Sequence, residues 1–457
     1  MQSRRTGRID QASQTEPEHY DLVCIGFGPA SLAIAIALHD SGIKRRVLYI
    51  ERQRKFVWHA GMLLPHARMQ ISFLKDLATL RDPTSRFTFV NYLKSQDRLV
   101  AFTNLSTFLP LREEYNDYMT WCAGHFADNV QYGQETVSVS PEEDQRGPVR
   151  SWRVLSKDVA TSETNVVTAS HVILAVGGKP KLPPGLSSNI SEPRIVHSSA
   201  YAREAPRLLK EENKAYNLAV IGGGQSAAEI FNDLQSRYPK STITLYTAAS
   251  ALKPSDDSPF VNEVFNPERV DTFYNLPEQA QQKAILSDKA TNYGVVRPEL
   301  LDRLYETMYH QRLHQPNESK WQFRIEPWRE IIGYDRDPDS RLRLRMKDSR
   351  YGELITTNMG FDLVFVGTGY ERNAHEAILK PARDLLEEGK FFVERNYRLR
   401  FRDGAVADDC GLWLQGCCQD THGLSDTLLS ILAVRGGEMV DSIFPEQKQN
   451  RNSSSKL

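Results

Sequence analysis

The apolar positions of this chain gather into short unbroken runs that end at glycine. Asp21–Gly28 reads DLVCIGFG, the pattern of a strand buried on both faces. PASLAIAIALHDSG follows, apolar at most positions and closed by Gly42, which predicts a buried helix. RRVLYIE, Arg45–Glu51, predicts a second buried strand, so the three pieces make a βαβ unit with parallel strands. The same order recurs from Asn217: NLAVIGGG, then QSAAE opening a helix, then STITLYT at Ser241–Thr247. HVILAVGG (His171–Gly178), FDLVFVGTGY (Phe361–Tyr370) and CGLWLQGCC (Cys410–Cys418) predict further strands, and Leu424–Phe444 a last helix.

Other textures interrupt this rhythm. Trp58 to Val139 is aromatic-rich and predicts a helical insertion rather than another βαβ repeat. SRLRLRM, Ser340–Met346, alternates basic and apolar residues, the mark of a strand with one solvated face. KPKLPPG, Lys179–Gly185, reads as a linker. The fold class expected is α/β, with two Rossmann-like dinucleotide-binding domains and a smaller, partly helical substrate-binding region. The first domain takes residues 19–194, with its helical insertion at 56–135, and returns at 395–445; the second takes 195–394. Residues 1–18 read as a disordered arm and 446–457 as a flexible tail.

Each glycine turn between strand and helix is a candidate phosphate cradle. Gly26 permits the bend, Gly28 lets the backbone approach a pyrophosphate, and Pro29 and Ala30 open a helix whose amides point at the anion. Ser31 stands where a third glycine is usual. Glu51 ends the second strand, where an acid bonds ribose hydroxyls. In the second turn Gly222, Gly224, Gln225 and Ser226 form the cradle, and Ala227 replaces the third glycine. Two cradles imply two dinucleotides, a hydride donor and an acceptor. The first suits FAD and the second a nicotinamide cofactor.

Composition narrows the partners. Among 457 residues charged side chains are 25% and the formal net charge is −1, so nothing global favours nucleic acid or an anionic membrane. No run approaches the ~18 apolar residues of a membrane span. Five cysteines show neither metal-ligand nor disulfide-framework spacing, which suits a reducing compartment. No cysteine pair follows the flavin cradle, which argues against a disulfide reductase. Cys417–Cys418 is either redox-active or ordinary core packing.

Longer motifs carry a resemblance. GFGPASLA and Phe56–Leu93 (FVWHAGMLLPHARMQISFLKDLATLRDPTSRFTFVNYL), with IGGGQSAAEIF, SDDSPFVNEVFNPE, KATNYGVV, DLVFVGTGYERNAH and HGLSDTLLSILAVR, are collinear with the N-hydroxylating flavin monooxygenases of siderophore biosynthesis. The chain most resembles their fungal L-ornithine monooxygenases, with the lysine hydroxylases as the alternative. The resemblance spans roughly residues 20 to 440. It implies FAD reduced by NADPH, transfer of one oxygen atom from molecular oxygen to the neutral side-chain amine of L-ornithine, and a tetrameric assembly.

The resemblance also implies roles. Lys75 matches the lysine that grips the substrate carboxylate, though a lysine between Leu74 and Leu77 otherwise reads as a snorkelling surface residue. Asn262 and Asn292 match asparagines at the substrate and the nicotinamide ribose, and Ser430 a serine near the substrate. Met69 and Gln70 fall beside the isoalloxazine, where with Asn292 they are the catalytic candidates. Trp58 and His59 match a pair in the flavin region, and His59 reads equally as a structural histidine. Relatives carry an arginine near Ala248 for the 2′-phosphate. Here LYTAAS has neither that arginine nor an acid, and Lys253 is the nearest base downstream, so NADPH is expected with only modest preference over NADH. Gly367 stands where relatives have alanine.

Two other classes remain open at this level. Sulfide- or ketone-oxidising flavin monooxygenases carry an F-x-G-x-x-x-H-x-x-x-[WY] fingerprint, of which IVHSSAYARE keeps only the later half. A flavin redox sensor would show no amine-dependent NADPH oxidation. The chain ends in Ser455-Lys456-Leu457, a peroxisomal address on a polar tail, which implies an import receptor; otherwise the protein is expected to be cytoplasmic.

Overall fold

The computed structural model describes residues 16–142, 147–187 and 192–445. Its first sheet has five parallel strands in the order Val130–Tyr132, Val47–Glu51, Glu18–Ile25, Thr164–Leu174 and Gly411–Leu414. Thr164–Leu174 is long enough to serve two partners. Its later half pairs with Gly411–Leu414, and its earlier half pairs antiparallel with Trp152–Asp158, which pairs in turn with Gln134–Pro141. Helix Pro29–Asp40 is buried at every position from Ser31 to Leu38. It lies against helix Leu432–Ile443, where a methyl at Gly436 would stand 2.9 Å from the Ala33 carbonyl oxygen. A helix packed on all sides has no polar face, which is why its sequence shows no amphipathic period.

The second sheet is also parallel, in the order Phe323–Glu326, Thr242–Tyr246, Asn217–Ile221, Leu363–Val366 and Ile195–His197. A three-stranded antiparallel sheet, Arg329–Arg336, Leu342–Asp348 and Leu354–Thr356, covers one face. Leu342, Leu344 and Met346 enter a core shared with Ala219, Ile221 and Val364, while Arg345 and Lys347 face solvent. The alternation of SRLRLRM is this two-sided strand.

The chain passes between the two halves twice, and the crossings run side by side: Lys179–Pro180 pairs antiparallel with Tyr370–Glu371. The halves also interlock. Met62 and Leu64, from the long segment after Glu51, belong to the core of the second sheet with Val196, Tyr201 and Leu218. A Cβ at Gly61 would lie 2.3 Å from the Ser198 carbonyl oxygen, so only glycine allows this backbone-to-backbone approach.

Three sequence expectations need correction. Glu18, expected in the disordered arm, already pairs with Val167; residues 1–15 lie outside the described residues. The 56–135 insertion is less helical than expected. It holds helices Phe89–Ser95, Leu99–Asn104 and Arg112–Gly124, but Val130–Tyr132 is a strand of the first sheet, so the segment is one long crossover between neighbouring parallel strands. The last helix starts only at Leu432; before it, Leu424–Thr427 is a 3-10 turn. Among the described residues no helix is long and apolar enough to cross a membrane. Residues 446–457, with the terminal tripeptide, lie outside the described residues.

Candidate active site

Both glycine turns sit at the carboxyl ends of their sheets, where open α/β sheets bind ligands. In the first, Gly26 has φ +89° and its Cβ direction is closed by the Ala175 carbonyl oxygen at 2.6 Å. Gly28 is the opposite case. It caps helix Pro29–Asp40, and nothing lies within 4 Å of a Cβ built there. That free space before a helix N-terminus fits a pyrophosphate. Glu51 is buried, and its carboxylate accepts from the Phe27 amide at 2.7 Å and from the Gln53 amide at 2.8 Å. It thereby fixes the loop and leaves further lone pairs open to another donor.

The second turn is built more tightly. Gly222 has φ +141°, and a Cβ there would stand 2.5 Å from the Gly367 carbonyl oxygen. A Cβ on Gly224 would meet the Gly294 Cα at 3.3 Å, and one on Gly223 would meet the Thr247 hydroxyl at 2.6 Å. A side chain at Gly224 therefore clashes first with protein, not with a phosphate. Ser226 is half-buried in the first helical turn. Gln225, expected at the cofactor, is committed elsewhere: its Oε1 accepts from the Arg297 amide at 2.8 Å and its Nε2 donates to Glu229 at 2.8 Å. Lys253 is exposed, and its carbonyl accepts from the Val296 amide at 2.8 Å.

Lys75 sits in a turn held from below. The buried carboxylate of Asp76 accepts from the amides of Ala78, Thr79 and Phe89 and from the Thr79 hydroxyl. Tyr115 donates its hydroxyl to the Lys75 carbonyl at 3.3 Å, and Tyr118 receives the Leu77 amide at 3.2 Å. The Lys75 backbone is thus fixed while its half-buried ammonium has no hydrogen-bond or ion-pair partner among the described residues. Burial pulls its pKa below the ordinary lysine value. Met69, on the same segment, is buried, its amide donating to the Pro110 carbonyl at 2.9 Å; Gln70 beside it is exposed, with a free side chain among the described residues.

The other expected substrate residues come from three segments that meet. Asp256 donates its amide to the Thr291 carbonyl, and Arg297 donates to the Asp257 carboxylate at 2.7 Å, joining the 256–262 turn to the Asn292 segment. The hydroxyls of Tyr293 and Thr427 lie 2.6 Å apart, joining that segment to the loop that ends at Ser430. Among the described residues the buried Ser430 hydroxyl has no hydrogen-bond partner. Asn262 spends its amide on the Asp257 carbonyl at 2.9 Å, and its own oxygen has no donor among the described residues. Asn292 is half-buried, beside Gly294 at the second cradle.

Trp58 donates its amide to Asn116 at 3.0 Å, and its ring packs 5.0 Å from that of His59. His59 holds a left-handed backbone, φ +46°, and is exposed to solvent. The protein packed near its ring, with the charges of Arg112 and Arg372, lowers its pKa below the ordinary histidine value. His59 is therefore a neutral ring near pH 7.

Those two arginines escaped the sequence reading. Arg112 forks onto Glu229 through two 2.9 Å bonds and donates to the Met62 carbonyl at 2.7 Å, joining the insertion to the second cradle's helix. Arg372 follows the return crossing. It donates a long bond of 3.5 Å to the Gly416 carbonyl, makes no ion pair among the described residues, and its charge acts on His59, Tyr293 and Tyr370. Arg372 lies within the quoted TGYERNAH motif; for Arg112 only the long pairing with residue 229 reveals the role.

Comparison with known proteins gives the family and the frame. The family profile described as L-lysine 6-monooxygenase/L-ornithine 5-monooxygenase matches residues 18–372. The chain belongs to this monooxygenase family. The L-ornithine N(5)-monooxygenase of Ajellomyces capsulatus is 52% identical over 98% of this chain and 95% of its own length. Among solved structures, the ornithine hydroxylase PvdA of Pseudomonas aeruginosa superposes with a TM-score of 0.85 at 37% identity, covering 93% of this chain and 99% of its own. The ornithine N-hydroxylase KtzI of Kutzneria sp. 744, in a structure with FADred, NADP+ and L-orn, superposes with a TM-score of 0.84 at 33% identity, covering 94% of this chain and 100% of its own. The two-sheet frame is thus the frame of the family's ornithine hydroxylases.

Proposed function

We infer that this chain is an FAD- and NADPH-dependent L-ornithine N(5)-monooxygenase, which uses molecular oxygen to convert ornithine to N(5)-hydroxy-L-ornithine at the entry to a hydroxamate siderophore. The observation that carries the site reading is the half-buried, unpaired ammonium of Lys75 on a rigid turn. An ammonium partly removed from water and left without an anion calls for a carboxylate ligand.

FAD held at the first cradle and NADPH at the second would together supply, from molecular oxygen, an activated oxygen atom. The protein's work is to hold an amine in line with it. Lys75 grips the ornithine carboxylate, while the free oxygen of Asn262 and the buried hydroxyl of Ser430 take the remaining polar groups. Asn292, beside the second cradle, contacts the nicotinamide ribose. Met69 supplies an apolar wall and Gln70 a free amide.

The amine must lose its proton. With an ordinary pKa of about 10.4, deprotonation near pH 7.5 costs roughly 4 kcal/mol. A site that disfavours a second positive charge lowers that cost. Arg372, with no ion pair among the described residues, supplies such a field. Excluding water keeps the activated oxygen for the amine and out of hydrogen peroxide.

Incubation with NADPH, oxygen and either ornithine or lysine, followed by product analysis, tests the reading; NADPH oxidation with no hydroxylated amine would overturn it. Two finer readings go with it. The assembly is a homotetramer, tested by light scattering. The terminal Ser-Lys-Leu directs import into peroxisomes, tested by fusing the last dozen residues to a reporter; a diffuse reporter in import-competent cells contradicts that.

A further inference from the structure

Cys417 and Cys418 follow strand Gly411–Leu414 at the carboxyl end of the first sheet, the end that carries the flavin cradle. The other three cysteines are buried singly, in separate places. Here two thiols are neighbours in the chain; Cys418 is buried, its thiol 3.9 Å from the Leu414 carbonyl oxygen, while Cys417 remains partly accessible. His375 sits close enough to Cys417 for the two groups to act on each other's charge. His375 is itself nine-tenths buried, and its Nδ1 has no hydrogen-bond partner among the described residues. An unpartnered ring nitrogen buried beside a thiol is a ready carrier for that thiol's proton.

The pair also governs a loop. The Cys418 amide donates to the Asp426 carboxylate at 2.7 Å, and the same carboxylate accepts from Arg435 at 2.8 Å in an ion pair closed to solvent. This fixes the 418–426 turn, four residues before Ser430.

We propose that Cys417 and Cys418 form a reversible, peroxide-oxidised dithiol site, with Cys417 as the attacking sulfur, Cys418 as the resolving sulfur and His375 as the proton carrier. The oxidant is hydrogen peroxide, the two-electron reduction product of oxygen that a flavin monooxygenase releases when no amine takes the oxygen atom. The Cys417 thiolate attacks one oxygen of the peroxide. An S–O bond forms, the O–O bond breaks, and the departing hydroxide takes a proton from His375 and leaves as water. Cys418 sulfur then attacks Cys417 sulfur. The S–S bond forms, the S–O bond breaks, and the second oxygen leaves as water with the Cys418 proton and the one first bound to it. Two thiols lose two electrons and two protons to one peroxide, giving a disulfide and two waters.

The electrostatics agree with this division of labour. The neighbouring Cys418 and then His375 lower the Cys417 pKa against its burial, whereas Cys417 and burial push Cys418 up. Consecutive Cα atoms are about 3.8 Å apart, below the usual ~4.4–6.8 Å of a disulfide, so the bridge is strained and easily reduced. Closing it must also turn the Cys417–Cys418 backbone and draw the Cys418 amide off Asp426. The expected consequence is a loosened Ser430 loop, and an enzyme that reduces flavin but holds ornithine poorly until a thiol restores it.

The test uses the FAD-loaded full chain, treated with a small excess of hydrogen peroxide, quenched and digested. The native peptide carrying both cysteines should lose the mass of two hydrogens and regain it with dithiothreitol. Ornithine hydroxylation should fall and recover in step, while NADPH-driven flavin reduction stays constant. Cys418→Ser should stop at a Cys417 sulfenic acid that dimedone traps, and Cys417→Ser should keep both its mass and its hydroxylation under peroxide. A native peptide that stays a dithiol while hydroxylation falls, or a Cys417→Ser enzyme that inactivates as fast as the native one, would overturn the proposal.

Discussion

Ala227 occupies the space that Gly367 leaves empty. A methyl at Gly367 would stand 2.9 Å from the Ala227 nitrogen and 3.1 Å from its Cβ. The second cradle lacks its third glycine, and both the backbone and the methyl of the alanine that replaces it sit against the glycine that follows the strand opposite, Leu363–Val366. The two departures from the usual pattern are one exchange, read at two places far apart in the chain.

Gly367→Ala should therefore destabilise the second half by about 1–3 kcal/mol, the usual range for overpacking. Ala227→Gly combined with Gly367→Ala should recover part of that loss, because the Cβ contact vanishes while the backbone contact stays. Urea unfolding of the two single variants and the double variant measures the coupling; strict additivity would contradict the exchange.

Lys75→Ala should raise the ornithine KM by roughly 10–100-fold, since charge-assisted hydrogen bonds contribute about 1.5–3 kcal/mol. Flavin reduction by NADPH should stay near native, because the Lys75 turn rests on Asp76, Tyr115 and Tyr118 and not on its own ammonium. Stopped-flow reduction beside steady-state hydroxylation separates the two. A native ornithine KM in the variant would remove Lys75 from the substrate site.

Arg112 and Glu229 should show strong coupling. Both side chains are only about one-tenth exposed, so removing either strands a charge in poor solvent. Arg112→Ala and Glu229→Ala should each cost about 3–5 kcal/mol, and the double variant markedly less than their sum. A double-mutant cycle by thermal or urea unfolding checks this.

Acid should weaken the fold through buried histidines. His171 lies between the rings of Trp413 and Phe444, and His422 stacks 4.1 Å from Tyr397. Burial chiefly lowers both to about 4. The unfolded chain, with histidines near 6.5, binds protons that the folded chain refuses, so stability falls as pH drops from about 6.5 toward 4 and is unaffected by these groups above that window. His171→Phe should flatten part of the slope of the urea midpoint between pH 7 and 5. An unchanged slope would contradict the assignment.

The parts legible in sequence were those whose cause is local. A buried parallel strand must be apolar throughout and its turn must be glycine, so both cradles stood out. Strand Val130–Tyr132 did not, because three half-buried residues make no run. Lys75 was legible only through its motif; its support by Asp76 and Tyr118 needs the chain to turn back on itself. That the Gln225 side chain is held by the Arg297 amide was not legible, because its partner lies far along the chain and leaves no periodic trace. Arg372 stood inside a recognised motif, yet only the fold shows that its charge reaches His59 and Tyr293.

The measurement closest to the central claim is hydroxylated product formed per NADPH consumed, for ornithine and for lysine, in the same preparation. With the carboxylate held at Lys75, ornithine should give nearly one product per NADPH. Lysine, longer by one methylene, displaces its amine by about an ångström, a misplacement that costs on the order of a hundredfold, so it should give mostly hydrogen peroxide. Equal coupling for both amino acids, or better coupling for lysine, would contradict the account.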